Sequence, residues 1–235
     1  MELDEAEKKA VEYVAKKSGA DPSSIKVHGA EHESGGWLAV TGAFTEKKGK
    51  PVPLPRLMKQ GLIREYARQF SIHTLIETGT YLGDMVNATK SDFKEIFSIE
   101  LDNALWKRAK KRFAGFKHIS IIQGSSANVL PKVLSNVTWP CLFWLDAHYS
   151  GGITAKDNLD SPIMEELRCI LDQPSEDYAI LIDDAREFVG QNAYPTLEEV
   201  KDLIVKSHPN WVFEVKDDII RIHKRLTGLY EQLSK

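Results

Sequence analysis

The chain has 235 residues, 42% of them apolar and 28% charged, and carries a net charge of −3 with a pI of about 6.2. This is the composition of an ordinary globular protein, and it lacks the strongly basic balance typical of nucleic-acid-binding domains. The acidic, polar N-terminus has no apolar stretch of the signal-peptide type, and no run approaches the length of a membrane span. We therefore expect a cytoplasmic protein without membrane attachment.

Residues 1–50 are predicted to form a small separate module. Apolar residues at helical spacing over residues 3–14 predict a helix, and two strand-like runs joined around Ser34–Gly36 predict a hairpin. Residues 46–55, rich in lysine, glycine and proline, predict a linker. A helix and a hairpin bury little core of their own. We expect the module to pack on the larger domain or on a second subunit, which would make the protein a homo-oligomer.

Helices and strands alternate after the linker, and we predict one domain over residues 53–235. The predicted strands are 73–77, 95–100, 118–123, 141–146 and 178–183. The last two are apolar throughout, as expected of strands that are buried on both faces of a parallel sheet. The predicted fold class is α/β with a doubly wound, mostly parallel sheet. Ligands of such sheets bind at the carboxyl ends of the strands.

Two final strands, 211–215 and 219–224, flank Lys216-Asp217-Asp218 and predict a C-terminal hairpin. This hairpin would bring the sheet to seven strands and close it with an antiparallel pair. A dinucleotide-binding sheet instead continues with parallel strands after helices. The pattern therefore argues against a dinucleotide-binding fold.

The turn after the first strand of the sheet has the sequence ETGTYLG, residues 77–83. It resembles motif I of the class I S-adenosylmethionine-dependent methyltransferases, E/D-x-G-x-G-x-G, whose sheet also ends in an antiparallel hairpin. An aromatic residue in the second glycine position resembles the macrocin-type sugar O-methyltransferases. The resemblance implies that Glu77, Gly79, Tyr81 and Gly83 bind the cofactor, with backbone N–H groups meeting its methionine carboxylate. Alternatively, the two glycines serve only a tight strand–helix turn.

The second strand ends in an acidic residue, Glu100, followed by Leu101 and Asp102. An acid in this position, about twenty residues after the glycine turn, can accept hydrogen bonds from both ribose hydroxyls. Asp102 fits the N-cap of the next helix better. Glu100 could instead be a surface carboxylate. NAD sites use the same acid, so an oxidoreductase stays open, although the G-x-G-x-x-G that a pyrophosphate requires is absent.

The third strand ends at Gly124, Ser125 and Ser126. Methyltransferases commonly place an Asp-containing turn against the adenine here, and Ser125 stands in the position of that aspartate. The resemblance implies that these three residues contact the adenine. Either serine could equally be only the N-cap of the next helix.

An acid, an imidazole and a phenol follow directly on the fourth strand, as Asp146, His148 and Tyr149. The polar residues 151–161 that come next are typical of a substrate loop. We interpret His148 as a general base, with Asp146 as its catalytic neighbour and a contact to the cofactor. A lone histidine is more often structural. The D/N-P-P-Y/F tetrad of the nucleic-acid amino-methyltransferases is absent, which argues against methylation of a nucleic-acid base.

Asp183 and Asp184 follow the fifth strand, and a parallel sheet would bring them near Asp146. Three carboxylates suit Mg²⁺, and the macrocin-type and catechol-type O-methyltransferases hold a divalent metal at matching positions. Such a metal would bind the acceptor hydroxyl and lower its pKa. Alternatively, the two acids cap the next segment or pair with Arg186. A metal route and a His148 route both stay open.

These residues together predict methyl transfer from S-adenosylmethionine to a hydroxyl oxygen of a small molecule. One alternative is an NAD-type oxidoreductase on a similar sheet. Another is a non-catalytic module that has kept the sheet and the cofactor site but lost the chemistry. The sequence does not identify the substrate, and a protein or RNA substrate stays open because the module of residues 1–50 could recruit one.

Overall fold

The computed structural model describes residues 25–32, 38–44, 54–146, 162–191 and 194–225. Two antiparallel strands precede the main domain, β1 (Ile25–His32) and β2 (Leu38–Phe44), and they confirm the predicted hairpin. The predicted N-terminal helix lies outside the described residues. The division into two domains near residue 50 stays a prediction.

Helices and strands alternate from residue 54 onward, as predicted, and the strands lie close to their predicted bounds. The helices are α1 (Arg56–Gln69), α2 (Asp84–Thr89), α3 (Asn103–Arg112), α4 (Ser126–Leu134), α5 (Ile163–Leu171) and α6 (Leu197–Ser207). The strands are β3 (Thr74–Thr78), β4 (Glu95–Glu100), β5 (Ile119–Gln123), β6 (Cys141–Leu145), β7 (Tyr178–Ile182), β8 (Trp211–Lys216) and β9 (Ile219–Lys224). The Cα atoms of β2 approach those of α1.

The main sheet has seven strands in the order β5-β4-β3-β6-β7-β9-β8. Strands β3 to β7 are parallel to one another, and β9 is antiparallel to both β7 and β8. The predicted α/β fold and its C-terminal hairpin are thereby confirmed. The chain order reverses between β3 and β6, and the carboxyl ends of these central strands form the edge at which open α/β sheets bind ligands.

The sheet is buried on both faces because helices cover both of them. Alternate residues of each strand pack against opposite helix layers. On one face Leu75 and Leu142 pack with apolar residues of α1 and α3. On the other face Ile76 and Phe143 pack with those of α4, α5 and α6. This two-sided burial explains why β6 and β7 are apolar throughout.

The helices begin and end where local chemistry allows. The Asp102 carboxylate accepts hydrogen bonds from the N–H groups of Ala104 and Leu105, both at 2.8 Å, so the predicted N-cap of α3 is confirmed. Within the described ranges, no helix combines the length and apolar character needed to cross a membrane.

Candidate active site at the carboxyl edge of the sheet

The turn after β3 is fastened to the neighbouring strand β4 through its backbone. The N–H of Gly79 donates to the carbonyl of Ile99 at 2.9 Å, and Gly79 has a φ of 87° that favours glycine. Tyr81, which stands in the second glycine position of the motif, also adopts a left-handed φ, of 49°. The tyrosine thus keeps the backbone conformation of the glycine it replaces, and its side chain is 42% exposed.

Glu100 is held beside this turn by two backbone amides. Its Oε2 accepts from the N–H of Tyr81 at 2.7 Å, and its Oε1 accepts from the N–H of Asp102 at 2.9 Å. Burial raises the pKa of Glu100, and the amide hydrogen bonds oppose that shift. Glu100 is only 6% exposed, so it is not the surface carboxylate of the alternative interpretation. Each carboxylate oxygen can accept a further hydrogen bond. The half-buried Leu101 follows, and its carbonyl accepts from the Gln123 side chain at 3.1 Å.

Glu77, at the end of β3, belongs to a buried hydrogen-bonded chain. The Ser98 hydroxyl donates to the Glu77 carboxylate, and the hydroxyls of Ser98 and Thr80 lie 2.6 Å apart. Burial, helped by the nearby carboxylates of Asp146 and Glu100, raises the pKa of Glu77 to about 8, and the hydrogen bond from Ser98 opposes this shift. A cationic ligand group placed beside Glu77 would therefore displace its proton.

Gly83 and Gly124 have steric reasons to be glycine. A Cβ atom on Gly83 would stand 2.7 Å from the Phe113 ring, and Gly83 has a φ of 74°. A Cβ on Gly124 would stand 2.8 Å from a methyl group of Val129, at a φ of 143°. Tight packing of these turns against α3 and α4 therefore accounts for both residues without any ligand.

The start of α4 differs from a simple capped helix. Ser125 holds the N-cap position, but its side chain makes no capping hydrogen bond. Ser126 is buried and begins the helix. Near it lies Glu166 of α5, which is 1% exposed and whose Oε1 has no hydrogen-bond partner within the described part of the chain. Burial raises the pKa of Glu166 to about 7, despite the neighbouring hydroxyls of Ser126 and Thr78.

Asp146 and Asp183 directly follow the neighbouring strands β6 and β7, so they lie side by side at the carboxyl edge of the sheet. The N–H of Asp146 donates to Thr78 and that of Asp183 to Leu145, each at 3.1 Å, so both residues continue the ladder of the sheet. The Lys59 ammonium, from the first turn of α1, forms an ion pair with Oδ2 of Asp183. Burial and the charge of Asp146 raise the pKa of Asp183 to about 7, while Lys59 opposes the shift.

Asp184 points to a different cation. Its backbone has a left-handed φ of 57°, and its Oδ1 lies 2.8 Å from the guanidinium of Arg186. Arg186 also forms an ion pair with the Asp218 carboxylate, which accepts the Arg186 backbone N–H at 2.8 Å. The alternative in which Asp184 pairs with Arg186 is confirmed.

The expected magnesium site is not supported by this arrangement. Asp183 and Asp184 are each engaged by a basic side chain. Over the described ranges, no group of three or more His, Cys, Asp or Glu side chains could hold a metal ion. His148 lies outside the described residues, as does the whole stretch 147–161.

Sequence reasoning missed several groups at this edge. Lys59 and Arg56 occupy the first turn of α1, which has no acidic residue, although the helix dipole disfavours cations there. Two basic residues where acidic ones are favoured were the sequence signal that could have revealed Lys59 and Arg56. Tyr194 lies near the acids, since burial and the charges of Asp184 and Asp146 raise the pKa of its phenol. No simple sequence pattern indicates Tyr194 or Glu166.

Comparison with known proteins establishes the fold. No protein-family model matches the sequence, and no curated protein matches it either. Among the solved structures that align over most of the chain are three methyltransferases. A candidate caffeoyl-CoA O-methyltransferase from Staphylococcus aureus is 16% identical with a TM-score of 0.53, covering 74% of this chain and 86% of its own.

The S-adenosylhomocysteine-bound methyltransferase PaMTH1 from Podospora anserina is 17% identical with a TM-score of 0.53, covering 74% of this chain and 80% of its own. The O-methyltransferase TomG from Streptomyces achromogenes, involved in tomaymycin synthesis and solved with S-adenosylmethionine, is 15% identical with a TM-score of 0.52. That alignment covers 73% of this chain and 81% of TomG. Together with the strand order, these likenesses show the class I methyltransferase fold. The macrocin-type detail of motif I stays a prediction.

Proposed function

We propose that this protein transfers the methyl group of S-adenosylmethionine to a hydroxyl oxygen of a small molecule. One observation carries the proposal: the buried Glu100 is fixed by the amide of Tyr81, inside the glycine turn that follows β3. A ribose acceptor and a backbone turn suited to a carboxylate thus lie side by side. They occupy the carboxyl edge of a sheet with the class I methyltransferase fold.

The cofactor would extend along the ends of β3, β4 and β5. Its methionine part would lie over Gly79 and Tyr81, with its ammonium group near Glu77, and its ribose hydroxyls would donate to Glu100. Leu101 and the turn 124–126, which contains Ser125 and Ser126, would border the adenine. Gly83 would support this site through packing rather than through contact.

The chemistry would be an in-line displacement at the end of β6. A bond forms between the acceptor oxygen and the methyl carbon, the bond from that carbon to sulfur breaks, and the hydroxyl proton leaves for a base. We assign this base to His148, two residues after Asp146. A histidine is largely neutral at pH 7, and a positioned general base contributes about 10²–10⁴-fold in rate. Holding the reactants in line supplies much of the remaining acceleration.

A small hydroxylated acceptor is supported by the resemblance of motif I to the macrocin-type sugar O-methyltransferases, and the solved structures of this fold include the O-methyltransferase TomG. The net charge of −3 gives no support for a nucleic-acid substrate. Residues 1–50 remain the proposed contact of a homo-oligomer, which light scattering of the full chain would test by giving more than one subunit's mass.

Calorimetry with S-adenosylhomocysteine and with NAD distinguishes the main alternatives. We expect the former to bind and the latter not to. An oxidoreductase would bind NAD instead, and the absent G-x-G-x-x-G makes that the less favoured outcome. A non-catalytic module would bind the methyltransferase cofactor but would consume no S-adenosylmethionine with any pool of phenols, sugars and other hydroxylated compounds.

A further inference from the structure

A lysine lies at the carboxylates that the sequence predicted as metal ligands. Lys59 reaches from the start of α1 to Asp183 at the end of β7, across 124 positions of sequence, and both side chains are largely buried. Asp146, on the adjacent strand, is close enough to raise the pKa of Asp183. The Lys59 ammonium and the carboxylates of Asp146 and Asp183 therefore form a cluster of interacting charges at the proposed acceptor site.

We propose that Lys59 is the built-in cation of this site, standing at the Asp146–Asp183 pair in place of a divalent metal, so that the site works without one. The inference rests on the proposed function only in assigning this edge to the acceptor. It identifies Lys59 as the positioning group for the acceptor oxygen.

The carboxylates are arranged for a lysine and an arginine rather than for a shared metal. Asp183 uses Oδ1 to accept the Asp184 amide at 2.9 Å and Oδ2 to pair with Lys59. The left-handed backbone of Asp184 turns its carboxylate to Arg186, which is held in turn by Asp218. Mg²⁺ requires near-ideal octahedral geometry from oxygen ligands. An ammonium has no such requirement, because it acts as a point charge with three donors.

Helix stability does not explain a lysine at this position. The positive end of the α1 dipole disfavours a cation in its first turn. A buried ion pair often contributes little net stability, because both charges lose their hydration. A cation maintained against both effects fits a role in binding an oxygen atom.

The test uses Mn²⁺, whose free ion is measured by electron paramagnetic resonance, on the full-length protein. We expect no stoichiometric binding by the wild type at about 1 mM Mn²⁺, a concentration at which weak carboxylate sites begin to fill. Lys59→Met removes the charge and keeps the length of the side chain. It should expose the acidic pair and raise Mn²⁺ affinity by about tenfold or more, because a nearby positive charge no longer repels the ion.

Two further variants make the result specific. Lys59→Met combined with Asp183→Asn should lose the gained affinity, and Lys201→Met, on the exposed face of α6, should bind no more Mn²⁺ than the wild type. Stoichiometric Mn²⁺ binding by the wild type would overturn the proposal, and so would a folded Lys59→Met variant with unchanged affinity. If Lys59→Met does not fold, Lys59→Gln takes its place, and the wild-type titration decides in any case. S-Adenosylhomocysteine binding, measured on the same samples, tests the proposed function separately.

Discussion

The carboxyl edge of the sheet has two halves that hold their carboxylates by different means. In the cofactor half, formed by the ends of β3, β4 and β5, Glu100 is fixed by backbone amides of Tyr81 and Asp102. In the acceptor half, formed by the ends of β6 and β7, one oxygen of Asp183 also accepts a backbone amide, but its other oxygen pairs with the side chain of Lys59, and Asp184 pairs with Arg186. Backbone amides cannot be exchanged by substitution, whereas paired side chains can. The position of Glu100 therefore depends on the path of the chain, whereas the positions of Asp183 and Asp184 depend also on the charges of their basic partners.

The largest expected effect is a loss of turnover without a loss of cofactor affinity, which would separate the functions of the two halves. His148→Ala should lower turnover by about 10²–10⁴-fold, the usual contribution of a general base. Affinity for S-adenosylhomocysteine should stay unchanged, because the cofactor half is intact. A chelator should leave wild-type turnover unaffected, since Lys59 stands at the acidic pair. The measurement is S-adenosylmethionine consumption with an acceptor identified from the compound pool. Full activity of the variant would remove His148 from the mechanism.

A second pair of changes breaks the cofactor half. Glu100→Ala should weaken S-adenosylhomocysteine binding by about 1.5–3 kcal/mol, since hydrogen bonds to a charged group are lost. Gly79→Val should weaken it at least as much, because a β-branched residue rarely adopts a φ of 87°. Calorimetry gives both values. Glu95→Ala, at the opposite end of β4, serves as the control and should bind normally. Unchanged affinity in Glu100→Ala and Gly79→Val would place the cofactor elsewhere.

A third test uses two buried acids at this edge of the sheet, Glu77 and Glu166. Burial raises the pKa of Glu77 to about 8 and that of Glu166 to about 7, both above the ordinary value of 4.5. Between pH 4.5 and these raised pKa values, the folded state therefore binds more protons than the unfolded state. The contribution of these groups to the free energy of unfolding should be greatest at and below about pH 4.5, and it should be lost as pH rises through 7 for Glu166 and through 8 for Glu77. Each pKa unit corresponds to about 1.4 kcal/mol.

Denaturant unfolding of the cofactor-free protein at pH 5.5 and 8.5 measures this dependence. The neutral variants Glu77→Gln and Glu166→Gln should each flatten it, whereas Glu198→Gln, on the exposed side of α6, should not. Stability that increases with pH over this window would contradict the assignment of raised pKa values.

The smallest expected effect concerns the aromatic residue in the glycine turn. Tyr81→Gly should keep cofactor affinity within about threefold, because the cofactor half uses the amide of this residue and not its ring. Stability should rise slightly or stay unchanged, by less than about 1 kcal/mol, since glycine adopts a left-handed φ readily. Tyr81→Ala loses the ring but keeps the unfavourable backbone conformation. A large loss of affinity in both variants would show that the ring contacts the cofactor.

The sequence predicted most of the fold because its signals are local. Strands β6 and β7 are apolar at every position, and the hairpin turn at Asp217 and Asp218 joins two clear strand patterns. The observed strand bounds agree with the predicted ones to within one residue, as for β6 and β7. Glu100 was found by its distance from the glycine turn, and Asp102 by its place before a helix.

The acceptor half could be predicted only in part. The position of Asp183 follows from its strand, but its partner does not, because 124 positions separate it from Lys59 and only the packing of α1 brings them together. Asp184 was grouped with Asp183 by adjacency, whereas its left-handed backbone directs it to Arg186. Glu166 is part of an ordinary helical pattern, and nothing in that pattern indicates complete burial.

The C-terminal hairpin reaches back into the acceptor half, and this limits where the chain can be reconnected. The carbonyl of Asp218, in the β8–β9 turn, accepts the Ala185 N–H at 2.9 Å, and its carboxylate holds Arg186. Tight turns between surface strands ordinarily tolerate new chain ends. A circular permutant opened at Asp217–Asp218 would weaken the contacts of Asp218 with Ala185 and Arg186, and so would loosen the pair of Arg186 with Asp184. One opened at residues 172–177, at the amino edge of the sheet, would leave every one of these contacts intact.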